Sequence, residues 1–379
     1  MSTVEKYFFH SWNPVDEELK KAALIAGRDV LKIIPGQRVL IITNPEYNVA
    51  EIARAIYDTC LTLDANPVLI FQPVKDQFSF TEQAVIGAIG TVPDILISLS
   101  HWRLGKDKEA LSRPYEHAGK QFDSLFHYYL DGVKLTRSFW SPGTTVEMFK
   151  RTVPIDYGKL QKNCLKVKKI LDEAVNVKII SDKGTNLIIG IENRSAMIDD
   201  GDFSCPGSGG NLPAGETFIS PALGTASGVI VFDGSISTHK EDMILDEPAV
   251  VKVEAGYATE ITGGSGAGLL RTAVEQAEIN ALQMEKEGKI PSGMGAIYRK
   301  NSRNLGELGI GLNPKAEIRG NMLEDEKAYG TCHIAIGSNY DEDAPSLIHL
   351  DCLIRQPTIT ALLPDGTAAV IMKKGVLVL

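Results

Sequence analysis

"RVLIITNPEYNVAEIARAIYDTCLTLDANPVLIFQPV", residues 38–74, decides the fold of the first part of the chain. RVLIIT (38–43) is an unbroken apolar run of strand length. NVAEIARAIYDTCLTLDA (48–65) sets Val49, Ile52, Ile56 and Cys60 at helical spacing, and PVLIFQPV (67–74) is strand-like again. TEQAVIGAIGTV (81–92) repeats the helical pattern, and DILISLS (94–100) supplies a third strand. Strands alternating with helices imply parallel pairing through right-handed crossovers, hence a doubly wound α/β domain. The turn after the first strand, LIITNPEYN, has no GxGxxG, so no dinucleotide fingerprint is present.

Beyond about residue 160 the texture changes. KLQKNCLKVKKILDEA (159–174) is an amphipathic helix, and VKIISDKGTNLIIGIE (177–192) reads as a hairpin turning on Asp-Lys-Gly. SGVIVFDGSIS (227–237), AVVKVEAGYATEITG (249–263) and the tail 359–379 continue the short-strand pattern around one long helix, GLLRTAVEQAEINALQMEKEG (268–288). The expected fold is α/β: an N-terminal doubly wound, mainly parallel domain (1–160) and a C-terminal mixed, largely antiparallel α+β domain (161–379).

The bulk numbers narrow the function. The chain has 379 residues, 39 Lys+Arg and 48 Asp+Glu, for a formal net charge of −9. That balance argues against non-specific binding to nucleic acid or an anionic membrane. No apolar run reaches the roughly 18 residues a spanning helix needs. The opening stretch MSTVEKYFFHSWNP (1–14) has no basic start followed by an apolar core, so no signal peptide is expected. The five cysteines are scattered and form no CxxC pair, which fits reduced thiols and a cytoplasmic location. Cys332 and Cys352 are expected to pack as small buried residues.

The chemistry-bearing residues collect in GTCHIAIGSNYDEDAPSLIHLD (330–351), which holds His333, Tyr340, His349 and Asp351. In a strand, His349 and Asp351 face the same side, an imidazole and a carboxylate together, as a chelating site needs. The alternative is a solvated strand face. GGNLPAGETF (209–218) ends near Glu216, and GELGIGLNP (306–314) places Glu307 before an apolar run; each also reads as an ordinary connector or strand end. The acids of MLEDEKA (322–328), and Asp341, Glu342 and Asp343, read as solvated loop residues. His101 follows the third strand, at the end where parallel sheets bind ligands, and otherwise is a surface loop residue. There is no GxSxG, HExxH or P-loop.

Taken in order, NLPAGETF, GELGIGLNP, LEDEKAYGTCHIAIGSNY and IHLD resemble the metallopeptidases typified by aminopeptidase T, aminopeptidase S and PepS. TRSFWSPGTTVEMFKRTVPIDYGKL (136–160) is similar to that family's interdomain region. The resemblance implies a homodimer that hydrolyses N-terminal residues from peptides. It implies two divalent ions (Zn, Co or Mn) held by Glu216, Glu307, His333, Tyr340, His349 and Asp351, with Glu307 or Glu216 as bridging ligand or general base. His333 and His349 lie 16 residues apart, a shorter interval than in those peptidases, which bears on specificity. A ring-cleaving dihydroxypyridine dioxygenase resembles the same fold. It implies instead one Fe(II) on two histidines and an aspartate, here His333, His349 and Asp351, with His101 as a base. A relative that binds metal or ligand without turnover is the third expectation.

Overall fold

The computed structural model describes residues 15–76, 79–238 and 241–379. The opening stretch read for a signal peptide lies outside them. The chain divides into two compact units. One comprises the described residues up to Pro154 together with Gly201–Leu212, and the other Ile155–Asp200 with Pro213–Leu379.

The first unit is built on a parallel sheet. β1 (Arg38–Thr43) pairs with β2 (Asn66–Phe71) on one side and β3 (Ile95–Leu99) on the other. β4 (Arg137–Trp140) adds to β3, and β5 (Gly209–Asn211) adds to β4, all parallel. The order is β5-β4-β3-β1-β2. β1 and β3 are buried along nearly their whole length, as strands covered on both faces must be. Helix α1 (Tyr47–Thr62) buries Val49, Ile52, Ile56 and Cys60 completely, the stripe its periodicity sets. Leu40, Ile42 and Leu96 from the strands pack with Val85 and Ile89 of α2 (Gln83–Ile89) and with Leu125, Phe126 and Leu130.

The second unit opens with α3 (Tyr157–Glu173), whose first turn is capped by Asp156 accepting from the Lys159 N–H at 3.0 Å. Two antiparallel sheets follow. The larger has eight strands and includes the expected hairpin of Asn176–Ile180 with Asn186–Gly190. The other has seven: Asp242–Ile244, Ser235–Ser237, β9 (His349–Arg355), β8 (Thr331–Gly337), β7 (Leu305–Gly311), β6 (Glu216–Ile219) and Met197–Asp199, in that order. The two-domain α/β expectation holds. The boundary differs in two places: α3 begins before residue 160, and 201–212, read as part of the second domain, belongs with the first unit. The reason is the open edge of β4, whose backbone groups β5 satisfies. Among the described residues no helix is long and apolar enough to cross a membrane.

Candidate metal centre

The seven-stranded sheet gathers the candidate donors by register. Glu307 on β7 lies opposite Ala335 on β8, which lies opposite Asp351 on β9. His333 lies opposite Gly309, Gly337 opposite His349, and Glu216 on β6 opposite Gly311 and Asp199. Partners across a ladder share a face, as do residues two apart. One face therefore carries Asp199, Glu216, Glu307, His333, His349 and Asp351, interleaved with Gly309, Gly311, Ala335 and Gly337. The small residues make the room. A Cβ at Gly309 would stand 2.0 Å from the His333 ring, and one at Gly311 would stand 2.2 Å from the Ala328 carbonyl. Cys332 and Cys352, on the alternate positions, are buried and free, as expected of packing residues.

Glu307 is the centre of the cluster. His333 Nε2 is 3.1 Å from its Oε1, and His349 Nε2 is 3.1 Å from its Oε2. Each carboxylate oxygen thus faces a different imidazole. His333 Nε2 also approaches Glu216 Oε2 at 3.6 Å, and His349 Nε2 approaches Asp351 Oδ1 at 3.4 Å. His349 Nδ1 lies 2.8 Å from the Ser338 carbonyl. A carbonyl only accepts, so Nδ1 carries the proton and Nε2 is left as a ligand atom. Among the described residues, three sets of donor atoms lie close enough together to hold an ion: Glu216, Glu307 and His333; Glu307, His349 and Asp351; Glu326, His333 and Asp351. Each contains a single histidine. Glu216 Oε2, His333 Nδ1 and Asp351 Oδ1 are buried without a hydrogen bond. Orphaned buried carboxylate oxygens beside imidazole nitrogens are what divalent cations satisfy, so the residues fit a metal.

Tyr340 is half exposed, its ring 5.4 Å from that of His349 and 5.0 Å from that of Phe218. His101 stands in the first unit, its N–H donating to Asn44 Oδ1 at 2.7 Å and its ring stacked on Trp102.

The acids of MLEDEKA are not solvated. Glu324 and Asp325 are buried, accepting from the backbone N–H groups of Glu317, Arg319 and Gly320. Glu326 reaches the cluster, and Lys327, passed over in the sequence, is completely buried. The Lys327 ammonium lies 2.5 Å from Glu216 Oε1 and 3.7 Å from Asp199 Oδ2, and it bonds Glu326 Oε1.

The electrostatics are those of carboxylates, imidazoles and an ammonium crowded together out of water. Burial pulls His333 down, but the hydrogen bond and charge of Glu307, with Asp351 and Glu216, outweigh it and hold the imidazole at about 9. Burial likewise opposes the rise at His349, where Asp351 and Glu307 win. Burial pushes Glu326 up to about 8 against Lys327, and raises Glu216. Asp351 resists burial, and its histidine neighbours hold it near 2. Burial opposes the charge on Lys327, but Glu216, Glu326 and Asp199 keep it well above its ordinary value.

The family described as NicX, 2,5-dihydroxypyridine 5,6-dioxygenase, matches residues 143–370. No curated protein matches by sequence. The structure of 2,5-dihydroxypyridine dioxygenase from Pseudomonas putida is similar at a TM-score of 0.68 and 18% identity, over 96% of this chain and 98% of that one. Wild-type AmpT from Thermus thermophilus is similar at 0.65 and 18%, over 96% and 99%. Both share the two-domain α/β fold. The family match supports an enzyme, and the donor cluster fits a metal.

Proposed function

The chain belongs to the family of NicX, 2,5-dihydroxypyridine 5,6-dioxygenase, and within that family we propose that it is a two-metal aminopeptidase, hydrolysing N-terminal residues from peptides. One observation carries this reading: the two oxygens of Glu307 face two different histidines, each at 3.1 Å. That is the arrangement of a carboxylate shared by two cations. Glu216, Glu307 and His333 would hold one ion and Glu307, His349 and Asp351 the other, with Tyr340 beside the second set. Two divalent ions so held would polarise a scissile carbonyl and lower the pKa of a water between them.

The protein groups do the rest. The His349–Ser338 hydrogen bond fixes one imidazole, and Gly309 lets the other lie flat across β7. Glu307 has both oxygens engaged and acts as the shared ligand. Glu326 has no place in the two-ion set, and burial pushes its carboxyl up.

The charge of the cluster accommodates two ions. Fully ionised, Asp199, Glu216, Glu307, Glu326 and Asp351 carry five negative charges and Lys327 one positive. The net of four negative charges matches two divalent cations. With fewer ions, carboxyls of this set would bind protons instead, as the rise of Glu326 to about 8 under burial shows.

The second reading, an Fe(II) ring-cleaving dioxygenase on His333, His349 and Asp351, is favoured by the family match and the Pseudomonas putida structure. The test runs both. Protein reconstituted with Zn, Co or Mn is assayed on unblocked peptides, and with Fe(II) on a dihydroxypyridine with oxygen uptake recorded. Metal-dependent release of N-terminal residues is expected. Oxygen uptake that needs Fe(II), with no peptide hydrolysis under any metal, would replace the first reading with the second.

A further inference from the structure

Lys327 is wholly enclosed, and three carboxylates converge on its ammonium: Glu216 at 2.5 Å, Asp199 at 3.7 Å, and Glu326 in a direct hydrogen bond. Its backbone is fixed as firmly. The Asn313 N–H donates to the Lys327 carbonyl at 2.9 Å, and the Lys327 N–H donates to that of Glu324 at 3.0 Å. The Asn313 side chain meanwhile donates to the Ala214 carbonyl at 2.8 Å, and the Leu312 N–H to the Gly215 carbonyl at 2.8 Å. One residue, Asn313, thus ties the turn that carries Lys327 to the turn that delivers Glu216. Gly311 lets the two come close, since a side chain there would strike the Ala328 backbone.

The result divides the labour of Glu216. Oε1 is held by Lys327, while Oε2, buried and without a hydrogen bond, is aimed at the His333 side of the cluster. A free carboxylate could swing to bind an ion through both oxygens or turn away. This one is left a single oxygen, at a fixed place.

We propose that Lys327 is a positioning residue of the metal centre, holding Glu216 as a one-oxygen donor and offsetting one of five buried carboxylates. The inference rests on the two-ion reading. An ion pair that merely supports the fold would predict a different pattern of loss. Partners that orient a metal ligand typically govern 10–100-fold in metal affinity, and here the effect falls on one ion only.

The test is metal titration of chelated protein, followed by calorimetry, with Zn(II) or Mn(II) alone as probe. Parent, Lys327→Met, Glu216→Gln and the double variant are compared, each checked by circular dichroism. Lys327→Met is expected to weaken the Glu216-side ion by about 10–100-fold and leave the ion on His349 and Asp351 at parent affinity. Added to Glu216→Gln, it is expected to change nothing further, because its action passes through that carboxylate. Parent affinity for both ions, an equal loss of both, or an undiminished effect in the Glu216→Gln background would overturn the proposal. If the Met variant does not fold, Lys327→Gln, which keeps a donor without the charge, carries the same comparison. A parent protein that binds one ion defeats the two-ion reading by itself. Lys327 is then still judged by whether its replacement weakens that ion only where Glu216 is intact.

Discussion

Gly309 lies directly opposite His333 across β7 and β8, and a methyl group at 309 would stand 2.0 Å from the imidazole. The glycine is therefore the floor on which the histidine rests. Gly309→Ala is expected to cost about 1–3 kcal/mol by overpacking. Because the ring must move to relieve the clash, metal affinity should fall with it. Chemical denaturation and metal analysis of one preparation check both. A variant with unchanged metal content would mean that His333 does not need this floor.

Glu307→Gln keeps the shape and removes the charge shared by the two histidines. It is expected to lower metal content from two ions to at most one, and hydrolysis by about 100-fold or more. The pairing of these losses is the point. A drop in activity with both ions retained would make Glu307 a proton carrier rather than a shared ligand.

In the metal-free protein His333 is held at about 9 and Glu326 at about 8, above their ordinary 6.5 and 4.5. The folded chain then binds more protons than the unfolded chain between those values, so stability falls as pH rises. The His333 contribution is complete below 6.5 and gone above about 9; that of Glu326 is complete below 4.5 and gone above about 8. Asp351 acts oppositely, its contribution present above 3.8 and lost as pH falls toward 2. Melting of chelated protein should drop by on the order of 5 °C between pH 6.5 and 9. The metal-loaded protein should not show that slope, because metal replaces the protons. A flat profile in chelator would contradict the assigned protonation.

Chelation should abolish peptide hydrolysis and re-addition of Zn, Co or Mn restore it. N-acetylation of the substrate should stop cleavage, since an aminopeptidase reads the free amine. Cleavage of blocked peptides at internal bonds would argue for a different hydrolase.

The sequence disclosed unequal parts of this molecule. The parallel sheet was legible because RVLIIT and DILISLS are buried on both faces and have no reason to alternate. His349 and Asp351 were legible because spacing two puts them on one face. Glu216 and Glu307 emerged only from the order of motifs, since each alone looks like a strand end. Glu326 was misread, and Lys327 drew no reading, because a charged run normally faces water. Their burial depends on Asn313 and on the bare backbone at Gly311, contacts that no local pattern records. β5 was missed for a similar reason: Gly-Gly-Asn has no strand signal and pairs only because β4 offers an edge.

The most direct measurement is calorimetric titration of chelated protein with Zn(II) or Mn(II) near pH 7, repeated in buffers of different ionisation heat. Two ions per chain are expected. They should release protons, as His333, His349 and Glu326 exchange protons for metal charge. Saturation at one ion, with about half that proton release, would contradict the two-metal centre.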